Sequence, residues 1–194
     1  MAVSGLWNLV SGLLGALAGA GIGAWALFCD SKRREDKRQE QATRALLAEM
    51  YANALRLRGA AQAMQQSKSA DPPDFLQGQR YDEAYRMYFT DASSGAKWDD
   101  IEKIIQAYSY AGTVIDGPLS VQNWRRNPKG FPVKDDDLTK SFAKTYATGA
   151  GIFCDAIRRL REGVSMGEGF NGAVQKVEED VSSVLDVMGV QKVG

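Results

Sequence analysis

Few residues of this chain could carry chemistry, and their types and spacing exclude more than they suggest. There is no histidine among the 194 residues. That removes Ser-His-Asp and Cys-His catalysis, the HExxH zinc site and the Glu-x-x-His di-iron bundle. Cys29 and Cys154 are far apart and form no CxxC pair, so neither a thiol-redox motif nor a zinc knuckle is available. In a cytoplasmic domain both stay reduced. Asp99, Asp100 and Glu102 are close enough together to consider a divalent cation. They open a helical pattern, however, where the positive end of the helix dipole already accounts for them. Gly167, Gly169 and Gly172 spell GxGxxG. A dinucleotide fingerprint needs a strand before it and a βαβ unit around it. Here a charged helical stretch precedes the glycines and Glu168 would repel a pyrophosphate, so they read as a helix–helix turn. The expectation is therefore no catalytic residue, no cofactor, no metal and no enzyme.

The elements that position these residues are helical in period. SKRREDKRQEQ opens a long helix over 31–66, in which Leu47, Met50, Ala54, Leu57, Ala61 and Met64 recur at alternating steps of three and four. That is a heptad seam, widened by Leu46, Tyr51 and Leu55. It packs either within the chain or against a second copy. SKSADPPD breaks the helix at 67–74. An aromatic helix is expected from about Phe75 to Thr90, with Tyr81, Tyr85 and Tyr88 as its core face. Trp98–Ile115 forms the next helix, with Ile101, Ile104, Ile105, Tyr108 and Ala111 inward. Asp135 to about Gly163 forms another, and Phe142, Tyr146, Gly149, Ile152, Phe153, Ala156, Ile157 and Leu160 mark its buried face. The last runs from about Phe170 to Met188 on a stripe of Val174, Val177, Val181, Val184, Leu185 and Met188. No strand pattern persists.

Between the third and fourth of these helices lies GPLSVQNWRRNPKGFPVK, read as an irregular stretch from Gly117 to Lys134 because of its prolines and glycines. Trp124, Arg125, Arg126, Lys129, Phe131 and Lys134 mix aromatic and basic side chains. Two readings follow: a solvated loop pinned by its aromatics, or a surface for anionic lipid headgroups or a partner.

All of this follows a run from Leu6 to Cys29 that contains no charged residue. As a helix it is about 36 Å long, enough to cross a hydrocarbon core of about 30 Å. It is too long, and its N-terminal flank too neutral, for a cleaved secretory signal. Lys32, Arg33, Arg34, Lys37 and Arg38 follow it, which places the chain from Asp30 onward in the cytoplasm and the N-terminus outside. Within the run, Gly15, Gly19 and Gly23 recur at every fourth residue, as do Gly12, Ala16, Ala20 and Ala24. Such rows let a second backbone approach closely, and the expectation is self-association of the membrane helix through them. The 24 basic and 24 acidic residues leave no net charge, which argues against a general nucleic-acid binder.

The N-terminal apolar run, the basic stretch and the sequence ALLAEMYANALRL with its Glu49 and Asn53 together resemble a loose group of small bacterial membrane-anchored proteins. The resemblance covers about the first 60 residues. It implies a single-pass inner-membrane protein with a helical cytoplasmic domain and no established activity. Glu49 and Asn53 stand one turn apart, placed to bond each other or to cap a neighbouring loop.

The expected architecture is all-α: a transmembrane anchor over 1–30, a juxtamembrane helix over 31–66 and a helical domain over 67–194. Residues 31–194 form one folding unit, a bundle of four or five helices. The expected function is a membrane-anchored interaction or scaffold protein whose partners are membrane lipid, a second copy of itself and a protein of unknown identity. The alternative is a holin-like or pore-forming membrane effector built from the glycine rows.

Overall fold

A computed structural model of the chain describes residues 3–67, 73, 76, 82–94, 96–125, 135–161, 164 and 166–187. Within these, the side chains of 3–19, 21, 116–125, 135 and 168 are outside the description. The described residues form five helices and no strand: α1 (Val3–Ser67), α2 (Glu83–Ser93), α3 (Trp98–Arg125), α4 (Asp135–Leu160) and α5 (Glu168–Val187). The chain divides into two compact units, Met1–Gln41 and Ala42–Gly194.

The first unit consists of α1 alone in its described part. Ile22, Trp25, Leu27 and Phe28 are 67–73% exposed, and every described side chain from Ile22 to Phe28 is open to its surroundings. Among the described residues no helix is long and apolar enough to cross a membrane. The reason is length: the described apolar run from Ile22 to Cys29 is about 12 Å of helix, short of a bilayer core of about 30 Å. The side chains of residues 6–19 and 21 of the expected span lie outside the described ones. The span from Leu6 to Cys29 is thus not supported by the described residues.

The second unit owes its core to helical periodicity. Along α1, Leu47, Met50, Ala54, Leu57, Ala61 and Met64 are at most 1% exposed, and Ala42, Leu46 and Ala60 are buried beside them. The heptad seam therefore packs within the chain. Opposite it stand Ile104, Ala107, Tyr108, Ala111 and Val114 of α3, then Ala143, Tyr146, Ala147, Ala150, Phe153, Ala156 and Ile157 of α4. Val174, Val177, Val181 and Val184 of α5 close the cluster. Valine is a mediocre helix former, so burial of this stripe holds α5 helical. α4 packs against both α3 and α5. Its many alanines keep the helices close, and Gly149 marks a close approach. A methyl group there would meet Leu57 Cδ1 at 3.0 Å and Tyr110 Cε1 at 3.2 Å.

Four expectations need correction. α3 does not stop at Ile115; it continues through Gly117 and Pro118 to Arg125. An interior proline removes one backbone bond and crowds the preceding residue. Much of that crowding falls on the preceding Cβ, which Gly117 lacks, so the helical conformation stays open to it. α2 begins at Glu83, not near Phe75, and Leu76 instead lies in a single turn closed by its amide on the Pro73 carbonyl. The inward face of α2 is Tyr85, Phe89 and Ala92, while Tyr88 is exposed and Tyr81 lies outside the described residues. Ile105 of α3 likewise faces out, at 38% exposure.

Candidate functional site

Two features of the molecule gather polar or apolar groups beyond what packing alone demands. One is a carboxylate inside the second unit. Glu49 of α1 accepts hydrogen bonds from the backbone amides of Ala84 at 2.5 Å and Tyr85 at 3.0 Å, and from the Tyr108 hydroxyl at 2.7 Å. The two amides are donors that the first turn of any helix leaves without intrahelical partners. Their usual acceptor is the side chain at the N-cap, here Asp82, which makes no capping bond. Its carboxylate instead pairs with Arg86 at 2.5 Å. Glu49, distant in sequence, takes over the cap, and its charge suits the positive end of α2. Tyr85 stacks on Tyr108 with ring centroids 4.2 Å apart, and Tyr108 meets Phe153 edge-on at 5.4 Å. Burial raises the Tyr108 hydroxyl far above its ordinary range, and the bond to Glu49 raises it further. This tyrosine remains protonated and donates. The arrangement joins α1, α2 and α3 through one side chain, and its chemistry is that of a clasp.

Sequence reasoning left Glu49 either bonding Asn53 or capping a neighbouring loop, and could not name Tyr108 or α2 as its partners, since they lie far along the chain. The same holds for Arg58, whose guanidinium pairs with Asp180 of α5 at 2.8 Å. Cys154 is 1% exposed, and burial, then the charge of Glu178, pushes its thiol up to about 12 against a smaller opposing effect of Arg158. It is a packing residue. Cys29 is half-buried, and both thiols are free. Gly167, Gly169 and Gly172 lie at the start of α5, where an added methyl would meet nothing within 4 Å. Among the described residues no group of three or more His, Cys, Asp or Glu side chains stands together as a metal site.

No protein-family model, characterised protein or solved structure matches the chain. The resemblance to membrane-anchored bacterial proteins is thus left resting on the residues quoted for it.

The second feature is the exposed end of α1. Of the residues expected to mediate association, Gly12, Gly15, Ala16 and Gly19 have side chains outside the described ones. Ala20, Gly23 and Ala24 are exposed, and a methyl at Gly23 would meet nothing within 4 Å. Directly after the apolar residues come the charges from Asp30 to Glu40. Asp30 and Arg34 pair at 2.7 Å, while Lys32, Arg33, Glu35, Asp36 and Lys37 make no ion pair among the described residues. The proposed lipid or partner loop fares differently: Trp124 and Arg125 belong to the last turn of α3, not to a loop. Arg126, Lys129, Phe131 and Lys134 lie outside the described residues.

Proposed function

We propose that this chain is a membrane-anchored helical interaction or scaffold protein without enzymatic activity. Its first unit enters the bilayer and associates with further copies, and its second unit is a cytoplasmic bundle. The observation that carries this reading is that every described side chain from Ile22 to Phe28 is exposed, and these consecutive residues run right round the helix. An amphipathic surface helix hides its apolar stripe against a core, whereas a helix apolar all round needs an apolar surrounding. The uncharged sequence back to Leu6 supplies the remaining length. The bases that follow favour a cytoplasmic second unit, with the N-terminus outside. A bacterial inner membrane as the location rests on the resemblance alone.

Fractionation tests the anchor. The full chain should stay with membranes through alkaline carbonate extraction, and a chain beginning at Glu40 should be soluble and folded. Release of the full chain by carbonate would overturn the reading. A reporter fused after Gly194 tests topology, since activity confined to the outer side of the membrane contradicts a cytoplasmic bundle.

A further inference from the structure

The charges that follow the apolar segment are sorted by side. At 3.6 residues per turn, residues three or four apart are neighbours on one face. Asp30, Arg34 and Arg38 form one such row, and Arg33 and Lys37 form the row next to it. This side holds four bases and one acid. The other side holds Glu35 and Asp36 with one base, Lys32, while Glu40 lies at the edge between the two sides, two turns beyond Arg33. All the residues from Asp30 to Arg38 are exposed in the chain.

The apolar residues are sorted the same way. Trp25 lies about three turns before Asp36, Phe28 about two turns before Glu35, and Ile22 about five turns before Glu40. Trp25 and Phe28 are therefore on the acid-bearing side, and Ile22 is at its edge. Gly23 lies about three turns before Arg34 and Ala20 about five turns before Arg38, so these small residues are on the base-bearing side, while Ala24, about three turns before Glu35, borders the acids. Leu27 is the bulky exception there.

Resting on the proposed anchoring and self-association, we propose that copies of this chain pack side by side and in parallel. The base-bearing, small-residue side of one α1 lies against the acid-bearing, bulky side of the next. Small residues alone would not select this arrangement; the charges do. A two-fold pairing through the small residues would set Arg33 and Lys37 of one copy against the same bases of the other. Face-to-back packing instead places them within reach of Glu35 and Asp36. Anionic lipid fits less well, because it would meet the acids on the other side of the same turns. A face-to-back contact leaves one face unused on each end copy, so it extends to a closed ring or an open row.

The test uses full-length chains carrying donor or acceptor fluorophores at the C-terminus, reconstituted into phosphatidylcholine vesicles. Energy transfer between copies is the readout. R33E/K37E makes both sides acidic, and E35K/D36K makes both basic. Each variant alone should associate roughly two- to thirtyfold more weakly than wild type, through the loss of two exposed ion pairs. An equal mixture of the two should recover wild-type transfer, and wild-type transfer should weaken as salt rises. Stronger association of R33E/K37E alone would reveal two-fold pairing through the bases and overturn the proposal. So would transfer indifferent to both variants and to salt, which leaves self-association standing but removes its directionality. Transfer that appears only when phosphatidylglycerol is added would assign the bases to lipid and overturn it as well. Absence of transfer in wild type under every condition would remove the self-association reading itself.

Discussion

α1 contains two apolar stretches that differ in how their residues are distributed around the helix. From Leu46 to Met64 the apolar residues recur on one side, and those of the seam are at most 1% exposed. From Ile22 to Phe28 they occupy every side and stay open. Composition separates them in part, since Glu49, Arg56 and Arg58 fall within the first stretch and no charge falls within the second, but it does not say which way each stretch faces. Periodicity does. A one-sided stripe can be satisfied by neighbours folding over it, and an all-round one cannot be satisfied by a bundle of this size. The difference teaches that the two stretches answer to different surroundings, although they share one helix.

Paired truncations would break this comparison most sharply. Leu47→Ala should cost the bundle about 2–5 kcal/mol in urea unfolding, through lost burial and the cavity left behind. Leu27→Ala should leave the same transition unchanged. Equal effects would mean that Leu27 belongs to the core.

The alkaline limb of stability should come next in size, and it too arises only from the closed stretch and its partners. The Cys154 thiol ionises near 9.0 when exposed, but only near about 12 when buried. Burial likewise raises Tyr108 and Tyr146 above their ordinary value of 10.0. Each folded pKa lies above its unfolded counterpart, so the unfolded state loses protons first. Stability is then complete below pH 9 and declines above it, by up to about 1.4 kcal/mol per pH unit for each group. Cys154→Ala should remove the part of this decline that begins near pH 9. A flat profile to pH 11 would show that these groups are not buried in solution.

Glu49 allows a finer cut. Glu49→Ala should cost about 2 kcal/mol, combining a lost cap with a buried tyrosine donor left without its acceptor. Amide exchange should accelerate at Ala84 and Tyr85 before it does at Leu57. Uniform acceleration across the bundle would mean that Glu49 supports the whole core and not α2 in particular. The smallest effect is expected at Tyr146, which is fully buried and whose hydroxyl makes no hydrogen bond to a described protein group. Tyr146→Phe should be neutral or stabilising by up to about 1 kcal/mol in urea unfolding, because it removes a desolvated donor and keeps the ring. A clear loss of stability would reveal a partner for the hydroxyl.

What could be read from the sequence divides along the same physical line. The seam of α1 and the stripes of α4 and α5 were legible because each repeats over several turns, and burial selects for repetition. The end of α3 was not, because Pro118 argues locally for a break and only the preceding glycine softens that argument. The start of α2 was hidden for another reason. Its first-turn amides find their acceptor on Glu49, and no residue near position 83 announces it. The apolar run at the N-terminus was legible as unusual, while the sorting of charges beside it needs the continuous helix of α1 to become visible.

The borrowed cap on α2 bears on the order of events in folding. An 11-residue helix is too short to persist alone in water. Its first-turn amides are capped by Glu49 of α1, a residue far away in sequence, so that cap forms only when α2 docks on α1. Substitutions that weaken α2, such as Ala92→Gly, should therefore speed unfolding and leave the refolding rate nearly untouched in a denaturant chevron. A matching slowdown of refolding would show that α2 assembles with the nucleus. If instead it joins last, it is also the part of the bundle that opens first, and with the greatest freedom to do so while the rest stays native.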